Sequence, residues 1–251
     1  MNARIIPPTQ HTVNNALLLP FPEGCRTATL VRRFKRFFVE CATPEGTVMA
    51  HTNNSGSMLG LSRPGLPIFL SPASNPHRKL PYTLEMVGIP HNASHFWVGV
   101  NTLTPNRLLR AAFTANLLPW AKGYTHLQPE AKRGASRLDA LLTGPGMPPL
   151  WVECKNVTMV EDNVAAFPDA ISERAQKHLR EMMEIVDSGE KAAFFYCIQR
   201  PDGQCFAPAD YVDPVYATLY AKARSMGVVS HAHRVRLSEK GLALGEELPL
   251  L

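Results

Sequence analysis

Asp139, Glu153 and Lys155 carry the residue types and spacing in this sequence best suited to a reaction. Asp139 stands in Arg137-Leu138-Asp139-Ala140-Leu141-Leu142, and the other two in Leu150-Trp151-Val152-Glu153-Cys154-Lys155. Gly144, Pro145, Gly146, Pro148 and Pro149 crowd the interval, so the two apolar stretches read as a β-hairpin. Side chains alternate along a strand, which puts Glu153 and Lys155 on one face and Val152 and Cys154 on the other. Asp139, on the partner strand, can reach the same end. Two carboxylates there can hold Mg2+ or Mn2+, and Mg2+ keeps several waters and takes its remaining ligands from phosphate. The ion polarises a phosphoryl oxygen and acidifies a bound water; a neighbouring lysine orients that water or stabilises charge growing on the phosphorane. The plain alternative is a surface hairpin with ordinary charges, because an aspartate followed by Glu-x-Lys is a short pattern.

The elements that must position this trio are bounded by composition. The chain has 251 residues, room for one large domain or two modest ones. At 45% hydrophobic and 19% charged it can build a real core and is not a disordered chain. The formal net charge of +5 favours an anionic partner such as nucleic acid. Cys25, Cys41, Cys154, Cys197 and Cys205 are odd in number, scattered and without a Cys-x-x-Cys pair. That excludes a zinc ribbon and a disulfide framework, and a reducing, cytoplasmic compartment fits best. Apolar runs fall short of the roughly 20 residues a bilayer needs. The start of the chain, with Arg4, Pro7 and Pro8 before Ala16-Leu17-Leu18-Leu19-Pro20, lacks the pattern of a secretory leader.

Residues 15–102 read as all-β. One long strand is expected over 28–41, ending at the turn Thr43-Pro44-Glu45-Gly46, with 47–51 pairing back and short strands over 67–70, 82–87 and 95–100. This spacing suggests a small barrel of the oligonucleotide-binding type. Arg32, Arg33, Lys35 and Arg36 interleave with Phe34, Phe37 and Phe38. The cations suit phosphates and the rings can stack bases, although burial is the usual fate of strand phenylalanines. The loop Asn53-Asn54-Ser55-Gly56-Ser57 can offer backbone N–H groups to a phosphate or be only a turn. Asn75-Pro76-His77-Arg78-Lys79 is a second basic loop.

Residues 103–240 alternate helix and strand. Thr104 and Pro105 predict a capped helix start, with an apolar face through Leu108, Leu109, Ala112, Phe113 and Leu117. Arg133 and Arg137 bring positive charge beside Asp139. After Lys155 the strand is expected to continue to Val160. A helix over about 169–188 would bury Ile171, Ala175, Leu179, Met182 and Val186. Glu173, Gln176, Lys177 and Arg180 lie off that stripe, with His178 at its edge, and one or two of them can reach the hairpin end. Residues 192–198 read as a strand buried on both faces, which makes a βαβ unit with the hairpin. Asp213-Pro214 starts a third helix that Gly227 ends, before a last strand carrying His231 and His233. Two histidines two apart are weak evidence for a metal.

The resulting order, α-β-β-β-α-β-α-β with the trio on the central hairpin, is similar to the restriction-endonuclease-like PD-(D/E)xK fold. The segments 54–58, 79–85, 97–102, 136–139, 152–158, 167–170 and 174–179 resemble, in the same order, the sugar fermentation stimulation protein A family. The likeness runs from about residue 20 to 237. It implies an α+β protein with a small oligonucleotide-binding-like barrel at the N-terminus and a PD-(D/E)xK nuclease-like mixed sheet at the C-terminus. It implies a bacterial, cytoplasmic, DNA-binding protein in which Asp139 and Glu153 hold the metal, Lys155 is the catalytic lysine and Gln176 is an extra polar residue of the site. Ser55 stands where the family usually has threonine, Ala175 where it has glycine, and Leu138 where the motif name would put proline.

Two functions are therefore expected alternatives. One is a Mg2+-dependent nuclease that grips DNA through Arg32, Arg33, Lys35, Arg36, Arg133, Arg137 and Lys177. The other is a non-catalytic, sequence-tolerant DNA-binding regulator of sugar (maltose) metabolism genes. A weaker third is processing of structured RNA or DNA with a protein partner. A homodimer would let one site cut each strand.

Overall fold

The computed structural model describes residues 16–75, 77–134 and 136–251. Arg4, Pro7 and Pro8, Pro76 of the second basic loop, and Ala135 in the turn before the hairpin lie outside the described residues.

The N-terminal half consists of β1 (Leu19–Pro20), β2 (Arg26–Phe34), β3 (Phe38–Thr43), β4 (Gly46–His51), β5 (Pro67–Pro72), β6 (Tyr82–His91) and β7 (Ser94–Gly99). The strand expected over 28–41 is two strands. Lys35 and Arg36 take left-handed backbone angles (φ 46° and 62°) and turn the chain back, so Phe34 pairs with Phe38. A run rich in strand-forming side chains hides that reversal, because neither residue is a usual turn former. β2 pairs antiparallel with β3 and β5, β3 with β4, and β5 with β6. A parallel contact of Ala50 with Tyr82 and His51 with Thr83 joins β4 to β6 and closes a five-stranded barrel. Leu30, Val39, Cys41, Ile68, Leu70 and Leu84 fill its interior.

The C-terminal half follows as α1 (Thr104–Thr114), β8 (His126–Arg133), β9 (Ser136–Thr143), β10 (Leu150–Val157), β11 (Met159–Glu161), β12 (Val164–Phe167), α2 (Glu173–Asp187), β13 (Lys191–Ile198), β14 (Cys205–Pro208), α3 (Pro214–Ser225), β15 (Val229–Ser238) and β16 (Gly241–Glu247). One seven-stranded sheet runs β1-β16-β15-β13-β10-β9-β8, with β10, β13 and β15 mutually parallel. α1 covers one face, where Leu108, Leu109 and Ala112 meet Val152, Cys154, Phe195 and Cys197. α2 and α3 cover the other, where Leu179, Met182, Tyr216 and Tyr220 meet Phe194 and Tyr196. Ala192 to Ile198 are all buried, as a strand sandwiched between helical layers must be.

Three local expectations change. α1 begins one residue early: Leu103 is its cap position, and the Asn101 carboxamide takes the Leu103 N–H (2.9 Å), so the Thr104 hydroxyl is not the cap. The strand holding Lys155 ends at Val157, and Met159–Glu161 joins a separate small sheet with β12 and β14. α2 starts at Glu173 behind a Ser172 cap, which leaves Ile171 outside the helix and 74% exposed. Asp213 caps α3 as expected, accepting the Tyr216 N–H (2.9 Å). Among the described residues no helix is long and apolar enough to cross a membrane.

Candidate active site

The hairpin is real, and its strands part beside Asp139 and Glu153. β9 and β10 pair at Leu142 with Leu150, Leu141 with Trp151 and Ala140 with Val152, and the ladder stops there. Ala140 and Leu142 pack toward α1 while Leu138 packs toward α2, so regular alternation breaks at Asp139. The Asp139 carboxylate turns into the gap and its Oδ2 accepts the Cys154 N–H (2.8 Å), a backbone donor that would otherwise lack its ladder partner. Oδ1 accepts from Asn106 Nδ2 (2.7 Å) in the first turn of α1.

Glu153 and Lys155 point toward α2, as alternation requires. Both are buried, at 3% and 8% exposure, and so is His178 on α2 at 8%. Lys155 Nζ lies 2.8 Å from Glu153 Oε1 and 2.8 Å from His178 Nδ1, and His178 Nδ1 also contacts Glu153 Oε1. Burial alone would raise the Glu153 carboxyl. The Lys155 ammonium and His178 outweigh it and hold Glu153 well below the usual carboxylate range. Asp139 goes the other way. Burial first, then the Glu153 charge, pushes its carboxyl up, and the Cys154 N–H and Asn106 only partly offset them.

Asp139, Glu153 and Lys155 line a cleft of about 480 Å3 whose far wall is the barrel loop Asn53 to Gly56, with Arg137 and Arg174 at its side. The loop is held from both directions. Arg33 donates to the carbonyls of Asn54 (2.6 Å) and Gly56 (3.1 Å), and the Ser57 hydroxyl donates to Asp169 Oδ2 (2.7 Å). Its Asn54 and Gly56 N–H groups are already taken, by Thr52 Oγ1 and Asn54 Oδ1. These two donors are therefore not offered to a phosphate.

The other sequence-derived residues divide by position. Arg137 and Lys177 are exposed beside the cleft, loosely paired with Glu130 (3.5 Å) and Glu181 (3.3 Å). Lys35 and Arg36 are exposed at the tip of the β2–β3 hairpin. Arg32 pairs with Glu40 (2.5 Å) on that hairpin. Arg33 braces the cleft loop, and Arg133 donates to Ser188 and Glu190 while lying over Trp151, away from the cleft lining. Gln176 is buried, but its amide donates to both Asp213 oxygens (3.0 and 3.1 Å), so it ties α2 to the α3 cap rather than facing the carboxylates. His178 is one of the α2 residues expected to be able to reach the hairpin end and does so, whereas Asn106, which completes the site from α1, carries no spacing signal relative to Asp139. His231 and His233 gather on Glu247 (2.7 and 3.9 Å), with Trp120 stacked on His231. Among the described residues no three His, Cys, Asp or Glu side chains are arranged as a metal cage.

Residues 31–100 match the family described as SfsA N-terminal OB domain, and residues 103–241 the sugar fermentation stimulation protein RE domain. The chain belongs to the sugar fermentation stimulation protein family. A homologue from Lawsonia intracellularis is 49% identical over 93% of this chain and 98% of its own. Another from Maridesulfovibrio salexigens is 51% identical over 93% and 97%. The structure of Pyrococcus furiosus SfsA in complex with Ca2+ has the same fold, at a TM-score of 0.84 and 24% identity over 94% of this chain and 99% of that one.

Proposed function

We propose that this family member is a divalent-metal-dependent nuclease that hydrolyses phosphodiester bonds of nucleic acid. One observation carries the reading: two carboxylates with opposed electrostatic environments converge beside Lys155 on the wall of a cleft rimmed by cations.

The donor set fits a hard cation. Each Asp139 oxygen accepts one hydrogen bond and keeps a lone pair, and among the described residues no hydrogen bond falls on Glu153 Oε2. One or two carboxylates, with water and substrate phosphate completing the shell, is the usual Mg2+ arrangement. The Pyrococcus furiosus relative in complex with Ca2+ makes an oxygen-ligand cation the natural one to test. Asp139 and Glu153 would hold the ion, which supplies charge neutralisation at the phosphate and a more acidic water. Asn106 and the Cys154 N–H fix the Asp139 carboxylate, and His178 and Glu153 fix the Lys155 ammonium where it can meet an attacking water or a phosphate oxygen. Arg137 and Arg174 stand where the flanking phosphates would lie.

A second reading, nucleic-acid binding without cleavage, is favoured by one specific feature. The Lys155 ammonium already pairs with Glu153 at 2.8 Å, so the site is electrostatically closed on that side with no ion. Calorimetric titration with Mg2+, Mn2+ and Ca2+, on wild type and Asp139→Ala, separates the two when run beside cleavage assays on plasmid and single-stranded substrates. Metal binding and cleavage that both vanish in the variant support the nuclease. Retained nucleic-acid binding with neither metal uptake nor cleavage sinks it.

A further inference from the structure

We infer that the β2–β3 hairpin is a base-stacking platform that delivers single-stranded nucleic acid to the cleft. The inference rests on the nucleic-acid part of the function proposed above, not on cleavage.

Phe37 is 42% exposed, although a phenylalanine in a strand-rich barrel is normally buried. Its ring lies against His51, with centroids 6.2 Å apart and planes 25° apart. Phe34 and Phe38 form a second stacked pair across the hairpin (5.6 Å, 21°), and Arg32 covers Phe34. None of these aromatics is in the barrel's buried core. The tip between them is made by Lys35 and Arg36 in left-handed conformations, where asparagine or glycine would be the unstrained choice. Strained cations at an exposed tip between surface aromatics suit a ligand with flat rings and negative charge.

The platform is bonded to the cleft wall. Thr52 N–H donates to the Phe37 carbonyl (3.0 Å), and Asn53, the next residue, lines the cleft. Arg33 links the tip to the same loop by donating to the Arg36, Asn54 and Gly56 carbonyls. A strand whose bases stack on the Phe37 side with phosphates on Lys35 and Arg36 is thus led past Asn53 toward Asp139. A duplex cannot use the platform, because its base faces are occupied by their neighbours in the stack.

The test is fluorescence anisotropy of full-length protein in EDTA, with labelled oligothymidylate and oligouridylate of about 12 nucleotides, within the span of one such barrel, and a duplex of equal length. Wild type should bind the single strands more tightly than the duplex. Phe37→Ala should lose about 10-fold for the single strands, the size of one missing stack, and nothing for the duplex. Phe37→Trp should restore binding, with tryptophan emission quenched by the oligonucleotide. Equal affinity for both forms, a uniform loss in Phe37→Ala, or absence of quenching in Phe37→Trp overturns the inference, and so does a Phe37-dependent shift to monomer in sedimentation, which would make the tip a self-association surface. Because no metal is present, Phe37-dependent binding stands even if Asp139 proves non-catalytic, and cleavage without it removes the platform alone.

Discussion

Asp139 sits where burial and the neighbouring Glu153 both oppose its charge, with the Cys154 N–H and Asn106 as partial compensation. A neutral isostere should therefore suit the metal-free fold better than the native residue. We expect Asp139→Asn to raise the metal-free melting temperature, because the substitution removes a charge that burial and Glu153 both oppose. The variant should also lose the stabilisation that saturating cation gives wild type, about 2.7 kcal/mol at a hundredfold excess over Kd. Thermal melts with EDTA and with Mg2+ measure both, and a lower metal-free melting temperature in the variant would contradict the account. His233 gives a separate pH signature. Burial lowers its pKa, His231 adds to this, and Glu247, the Gly245 carbonyl region and Glu246 act against it. The folded protein therefore holds fewer protons at this site than the unfolded chain. Stability from this residue is complete above the unfolded value near 6.5 and falls as pH drops below it. His233→Gln should flatten the melting-temperature profile below about pH 6.5; an unchanged slope would assign that dependence elsewhere.

At the level of elements, the strand carrying Glu153 and Lys155 is fixed by the helices around it. Asp213 is almost fully buried and accepts from Tyr216 N, Ser172 N and the Gln176 amide, so one carboxylate caps α3 and anchors the start of α2. That anchor sets where His178, half a turn beyond Gln176, meets Lys155. Asp213→Ala should cost about 2–3 kcal/mol, a lost cap together with unsatisfied buried donors, measured by urea denaturation. Asp213→Asn, which keeps an acceptor, should recover part of it. A loss no larger than that of an exposed cap would mean the α2 anchor contributes little.

Across the whole molecule the barrel and the sheet are joined by buried polar groups. Gly99 N–H donates to the Gln199 carbonyl (2.9 Å) and Gln199 Nε2 donates to the Asn101 carbonyl (3.4 Å), while Asn101 itself is held on the barrel side by Glu85 and Asn53. Gln199 also contacts Asn156, next to Lys155. A Cβ on Gly99 would run into the buried Gln199 side chain, standing 2.7 Å from its Cδ and 3.1 Å from its Cβ, so glycine lets the two halves approach this closely. Gly99→Ala should destabilise by about 1–3 kcal/mol through overpacking. Gln199→Ala in the same chain should then cost less than it does alone, a coupling readable in a double-mutant cycle. Strict additivity would show that the junction yields without strain.

The sequence by itself determined the hairpin, the shared face of Glu153 and Lys155, the βαβ unit and the order of the three helices and the main strands of the C-terminal sheet, because each rests on local periodicity or on a proline or glycine at a turn. It also marked Asp139, Glu153 and Lys155, whose types stand out against apolar strands. Tertiary structure decided what surrounds them. Asn106 comes from a helix distant in sequence, and nothing in local spacing encodes a contact that packing creates. Gln176 and Arg133 carry the right chemistry but are drawn to Asp213 and Glu190, which periodicity cannot foresee. The reversal at Lys35 and Arg36 was equally hidden, since the turn is imposed by barrel pairing on residues that would otherwise extend a strand.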